Sequence, residues 1–123
     1  MSGVIFVGLG GALGAVCRYL ISLLPVKGTF PVLTLVTNVA GAVLIGFVVG
    51  VAADPERVSH NQVLFWKTGV CGGFTTFSTF SLEAVGLLEQ GKTLAGTTYI
   101  ALSVCLCIAG VYAGRMLSKI VTG

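Results

Sequence analysis

Ten consecutive residues, Gly72-Gly73-Phe74-Thr75-Thr76-Phe77-Ser78-Thr79-Phe80-Ser81, carry five hydroxyls, three phenylalanines and no charge. They interrupt an apolar stretch. Non-helical backbone at membrane depth persists only where it is buried in protein or lines a polar cavity, because each freed polar group is costly in hydrocarbon. The run therefore has the makings of a permeation or binding site. Gly72 and Gly73 form a helix-breaking pair that can release carbonyls from the helical ladder. Such carbonyls, with half-helix ends, coordinate cations in broken-helix transporters. Phe77 and Phe80 are three apart and share a helix face. Phenyl rings have a positive edge, and edges turned inward stabilise a small anion without the grip of a formal cation. Phe74 reads as packing. Ser78 and Thr79 flank the other two rings and favour a lining role for them.

Three further polar residues fall in apolar surroundings. Asn38 sits in Thr34-Leu35-Val36-Thr37-Asn38-Val39-Ala40-Gly41 and must find a partner in hydrocarbon. It is either interhelical glue or a donor lining an anion path. Arg18, beside Tyr19, either snorkels to the interface or supplies positive potential at an aqueous vestibule. Glu83 follows the hydroxyl run, and an intramembrane carboxylate is a functional candidate by default. Its readings are a proton-coupled site, a salt-bridge partner or an interfacial group at the end of a path. Lys67, beside Trp66, reads as an interfacial belt, and His60 as a solvated loop residue.

The elements that position these residues follow from composition. The chain has 123 residues, 55% hydrophobic and 9% charged, with a mean hydropathy of +1.03. A soluble domain is about 25% charged, so the class is integral membrane, all-α. A span needs about 20 apolar residues. Four are expected, at about 4–24, 30–53, 63–88 and 94–117, in one transmembrane domain covering 1–123. The third is broken at its centre by the glycine and hydroxyl run. Short loops rich in turn residues separate them: Pro25-Val26-Lys27-Gly28, Asp54-Pro55-Glu56-Arg57 and Glu89-Gln90-Gly91-Lys92. No basic residue precedes Arg18, so the first span is expected to be retained rather than cleaved as a leader.

Each span holds a Gly-x-x-x-Gly spacing: Gly10/Gly14, Gly46/Gly50, Gly69/Gly73 and Gly110/Gly114. That spacing puts both glycines on one face and lets another helix approach. Cys17, Cys71, Cys105 and Cys107 all lie in apolar stretches and read as small buried residues, not as a disulfide or metal set. A net charge of +3 is too small and dispersed for nucleic acid.

Basic residues are nearly balanced across the four spans. Arg57, Lys67, Arg115 and Lys119 fall on one side, and Lys27, Lys92 and Arg18 on the other. Lys/Arg bias sets orientation, so a balanced chain is expected to insert both ways. Opposite copies then pair about a two-fold axis in the membrane plane, as in inverted-repeat transporters. Four short helices can hardly enclose a polar path alone, which also favours an oligomer. Carbonyls from two such breaks could cage one small cation on the axis.

The run Gly72–Phe80, preceded by Gly69, resembles the signature of the Fluc (CrcB) fluoride channels. Gly11-Ala12-Leu13-Gly14-Ala15-Val16-Cys17-Arg18-Tyr19 is similar to that family's first-helix motif, and Thr34–Gly41 to its second-helix motif. Length and span count agree, so the resemblance covers the whole chain. It implies an antiparallel, dual-topology homodimer in the cell inner membrane, with two fluoride pores and a central structural sodium ion. By motif position, Gly72 and Thr75 would give backbone carbonyls to sodium. Asn38, Phe77, Phe80, Ser78 and Thr79 would fall along the pores, with Tyr99 and Ser103 from the fourth span. Arg18 would sit at the vestibule and Glu83 near the far end of the path. The implied function is passive fluoride efflux: hydrogen fluoride enters from an acidic exterior, ionises at neutral pH, and leaves as the anion driven by an inside-negative potential. No nucleotide motif, paired acids or nucleophile elbow points to a pump or an enzyme. A small dual-topology multidrug-type antiporter is the main alternative. It wants an acid in the first span, where this chain has Arg18. A non-transporting assembly subunit is the other.

Overall fold

The computed structural model describes residues 2–123, all in helices and the turns between them. Helix α1 is Ser2–Ser22 and α2 is Val32–Val51. A third stretch starts with α3, His60–Val63, continues as a π-helical segment, Leu64–Cys71, and ends in α4, Gly72–Phe74. Helix α5 is Phe77–Glu89 and α6 is Thr93–Thr122. Three of these, α1, α2 and α6, are long and apolar enough to cross a membrane. The expected third span is not one long helix, because its helical segments stop at Phe74 and restart at Phe77.

The ends of the elements follow from local chemistry. The Ser22 hydroxyl donates to the Tyr19 carbonyl at 2.5 Å and closes the last turn of α1. Pro31 stands at the N-cap of α2, where its missing N–H has no cost. Ser59 caps α3 through a full capping box. Its hydroxyl accepts from the Gln62 backbone N–H at 3.2 Å, and the Gln62 side-chain oxygen Oε1 accepts from the Ser59 N–H at 2.9 Å. Gly91, with φ of 77°, ends α5 in a Schellman turn: the Lys92 N–H reaches the Leu87 carbonyl and the Gly91 N–H that of Leu88. The expected fourth span, 94–117, lies inside a helix that runs five residues further. At 30 residues it is about 45 Å long, well beyond a hydrocarbon core of about 30 Å. Its last turn is tied down by Arg57, whose Nη2 donates to the Thr122 carbonyl at 3.2 Å while its Nε pairs with Asp54 at 3.4 Å.

Packing is made by glycine, between helices that run parallel. Helix α1 lies along the third stretch, and α2 along α6. A methyl at Gly69 would come within 2.8 Å of the Gly10 Cα. One at Gly14 would overlap the Val70 carbonyl, and one at Gly73 the Gly11 carbonyl. In the second pair, Gly46 and Gly114 stand against the Val111 and Val43 carbonyls, and Gly50 against Ser118. All four Gly-x-x-x-Gly spacings are therefore used for backbone-close contact. The small apolar core gathers Phe80, Ala84, Leu87 and Tyr99, with Phe30, Leu35 and Ala95 against it. Large aliphatic residues on the outer faces of α1 and α6, such as Val4, Leu9, Ile108 and Ile120, are exposed, as lipid-facing surface requires.

Replacing Gly14 by Val is expected to destabilise the protein by about 2 kcal/mol or more, as overpacking does. Gly86→Ala, where a methyl meets nothing within 4 Å, is expected to be near neutral. Unfolding midpoints of the two variants in detergent check the contrast, and equal midpoints would contradict the glycine-contact account.

Candidate functional site

The interruption sits at Thr75 and Thr76. Thr75 has φ/ψ of −88°/155° and Thr76 −147°/122°, both extended. Gly72 is helical at −63°/−37°. The expectation that the diglycine breaks the helix is thus corrected: two β-branched threonines, which suit extended backbone, make the break. Gly73 instead allows close approach to α1.

Every extended residue needs partners for its freed N–H and C=O, and α2 supplies them to Thr76. The Thr76 N–H donates to Asn38 Oδ1 at 2.8 Å, and Asn38 Nδ2 donates to the Thr76 carbonyl at 3.1 Å. One side-chain amide thereby stands in for a strand neighbour. Thr75 turns back on its own helix, its N–H and its hydroxyl both reaching the Cys71 carbonyl, at 3.0 and 2.7 Å. Thr76 also caps α5, its hydroxyl accepting from the Thr79 N–H at 3.1 Å. Arg18 Nε donates to the Gly73 carbonyl at 3.2 Å. Among the described residues, the carbonyls of Gly72, Phe74 and Thr75 accept no hydrogen bond.

Two spaces flank the break. A cleft of roughly 540 Å³ is walled by Asn38, Thr75, Thr76, Phe77, Phe80 and Ser103, and it extends along Lys67, Thr68, Cys71 and Cys107. A small pocket of roughly 60 Å³ on the other side holds Arg18, Thr34, Thr37, Thr76 and Thr79. Of the sequence candidates, the cleft gathers Asn38, Gly72, Thr75, Phe77, Phe80 and Ser103. Thr79 and Arg18 share the small pocket. Ser78 is exposed beside Thr76, their hydroxyls 3.3 Å apart.

The aromatic residues form a chain. Phe77 and Phe80 have ring centroids 5.5 Å apart, and Phe80 and Tyr99 5.2 Å. Phe30 closes on Tyr99 edge-on at 5.6 Å. Phe77 is 79% exposed, whereas Phe80 is buried. Tyr99 is fully buried, and its hydroxyl donates to Glu83 Oε1 at 3.2 Å. Glu83 also borders a third space, roughly 400 Å³, beside Thr34 and Gln90. Ser103 is buried with an unpartnered hydroxyl, the one buried side-chain polar atom left so among the described residues.

Sequence reasoning missed Thr76, whose backbone is the point that Asn38 holds, and it placed Lys67 at the interface without the cleft. A signal was present: Thr68, Gly72 and Thr76 repeat every four residues, as do Lys67, Cys71 and Thr75.

Substituting Asn38 by Leu removes both partners of Thr76. Leaving buried backbone groups unpaired costs about 1–3 kcal/mol. The expected result is a thermal midpoint in detergent clearly below wild type, with Asn38→Asp intermediate because it keeps the acceptor for the Thr76 N–H.

Known proteins match this chain along nearly its whole length. Residues 5–115 match the family described as CrcB-like protein, Camphor Resistance (CrcB). A protein of Clostridium novyi named fluoride-specific ion channel FluC is 46% identical over 120 residues, covering 95% of this chain and 94% of that one. Proteins of the same name from Ruminiclostridium cellulolyticum and Rhizobium meliloti are 45% and 44% identical, each over 97% of this chain and over 94% and 98% of their own lengths. With its all-helical architecture, its three helices able to cross a membrane and a match along nearly its whole length, the chain belongs to the CrcB family.

Proposed function

We propose that the chain is a fluoride-selective channel, not an enzyme, through which fluoride drains passively from the cytoplasm. The observation that carries this reading is the buried, unpartnered Ser103 hydroxyl on a cleft shared with Asn38, Phe77 and Phe80. An unpaired buried hydroxyl costs about 1–3 kcal/mol, a cost that an ion accepting its hydrogen bond would offset. The names of the relatives, fluoride-specific ion channel FluC, support the choice of ion.

In this reading α3, the π-helical segment, α4 and α5 make one broken span, giving four spans in the cell inner membrane. Two copies lie antiparallel, a reading supported by the near-even split of basic residues between the two sides of the spans. Asn38, Ser103 and the Phe77/Phe80 rings line the anion path, with Ser78, Thr79 and Tyr99 beside it. Arg18 raises the local potential from the small pocket, its Nη atoms having no partner among the described residues. Glu83 serves the far end, held by the Tyr99 hydroxyl.

The residues at the break also fit a sodium ion. Gly72 and Thr75 offer carbonyls free of hydrogen bonds among the described residues, and neutral oxygens suit a hard cation. The Gly73 carbonyl does not qualify, since Arg18 occupies it. Two oxygens per chain become four when a second copy brings its own break. Bound there, the ion would supply fixed positive charge and tie the copies together.

Purified protein in liposomes is expected to release fluoride, and little chloride, when a fluoride electrode follows efflux. Release no faster than from empty vesicles would sink the proposal. Phe80→Ile and Asn38→Asp are expected to cut the flux at least tenfold while the protein still elutes as a dimer. Cysteine cross-linking is expected to join opposite ends of two copies, with a yield that drops when sodium is exchanged for N-methylglucamine. Links between like ends only would exclude the antiparallel arrangement, and a yield indifferent to sodium would exclude the ion.

A further inference from the structure

We propose that Lys67 is a second anion-gathering cation, standing at the mouth of the large cleft, further from the break than Arg18. The proposal rests on the channel reading above and adds a residue to it. Lys67 borders the cleft next to Thr68, on the wall that continues to Thr75 and Thr76. Its side chain is exposed. Among the described residues no acid pairs with it, the ion pair found there being Arg57 with Asp54.

Its depth follows from the helix register. Leu64 meets Gly3 of α1, and Gly69 meets Val7 and Gly10. Lys67 therefore lies between the levels of Gly3 and Gly10, just inside the apolar part of α1. It is seven residues, roughly 10 Å, beyond the start of α3 at His60. Arg18 lies near the other end of α1, which runs parallel to the third stretch. The Arg18 guanidinium, however, reaches back to the Gly73 carbonyl at the break, six residues, roughly 9 Å, further along the stretch than Lys67, so the two cations stand at different depths.

A lysine at this depth is expensive and, when retained, marks an ion path more often than not. Its long stem lets the ammonium reach the aqueous mouth while its base stays on the cleft wall. The ammonium is a compact, strongly hydrated point charge. It gathers a small anion by potential rather than holding it by a bidentate grip. Low-dielectric walls on either side focus that potential and raise the local anion concentration. With antiparallel copies, each membrane face then presents one Lys67 mouth, so that neither direction of flow lacks an attracting charge.

The test is fluoride efflux from liposomes at about 10 mM and about 300 mM ionic strength, set with a salt whose ions the vesicles retain. The Debye length falls from about 30 Å to well under 10 Å over that range. Lys67→Gln is expected to slow efflux about fivefold at low ionic strength and less than twofold at high. Lys67→Arg, keeping the charge, is expected to stay within twofold of wild type at both. Equal rates for Lys67→Gln and wild type at low ionic strength would overturn the proposal. So would a loss of the same size at both ionic strengths, or a loss in Lys67→Arg, since either reports packing rather than potential. Wild-type protein that releases no fluoride at all would instead overturn the channel reading, and Lys67's role with it.

Discussion

The pairing of one side-chain amide with one backbone unit holds the centre of this molecule. At Thr76 the chain leaves the helical ladder, and Asn38 takes up both of the groups thus exposed. A helix interrupted in hydrocarbon without such a partner would be unstable by several kcal/mol. Everything near the break is set by this pair. It docks α2 against the third stretch, and it fixes the residue whose hydroxyl caps α5. Through that cap it sets where Phe77 and Phe80 point. Arg18 braces the other side through the Gly73 carbonyl. Asn38 is therefore interhelical glue, and it also borders the cleft.

Much of the fold could be read from the residue pattern, because hydropathy and glycine spacing are local signals with direct physical meaning. Apolar runs bounded by Pro25, Asp54-Pro55 and Gly91 mark helix ends within a few residues. The Gly-x-x-x-Gly pairs mark the contact faces. What those pairs do not carry is the identity of the facing helix. That α1 meets the third stretch and α2 meets α6 depends on complementary backbone surfaces far apart in sequence. The length of α6 also escaped, because Arg115 and Lys119 end the apolar run but not the helix. A helix continues in water as readily as in lipid when its last carbonyls find donors, here Arg57.

The candidate site was legible where side-chain chemistry was at odds with its surroundings, as at Asn38, Arg18 and Glu83. It was misread where backbone conformation mattered. Adjacent glycines suggest a break, but Gly72 and Gly73 are both helical, and α1 leaves no room for a methyl at Gly73. The extended residues are threonines, whose hydroxyls cap the chain on both sides of the turn. The π-helical stretch Leu64–Cys71, which packs against Gly10 and Gly14, was likewise invisible, since no residue type in it marks wider turns. It is this stretch that carries Lys67 on the cleft wall.

The parallel pairing of helices has a consequence for how the chain is made. Helices adjacent in sequence normally leave the ribosome as hairpins and pack at once. Here α1 and α2 scarcely touch, and each finds its glycine-lined partner only in the second half of the chain. Helices α1 and α2 are therefore each made with a strip of bare backbone that no neighbour covers until the second half of the chain follows. Assembly is interleaved rather than sequential. A nascent chain stopped after Val51 would carry α1 and α2 with neither of their packing partners, so the two halves of the chain are bound to each other by construction.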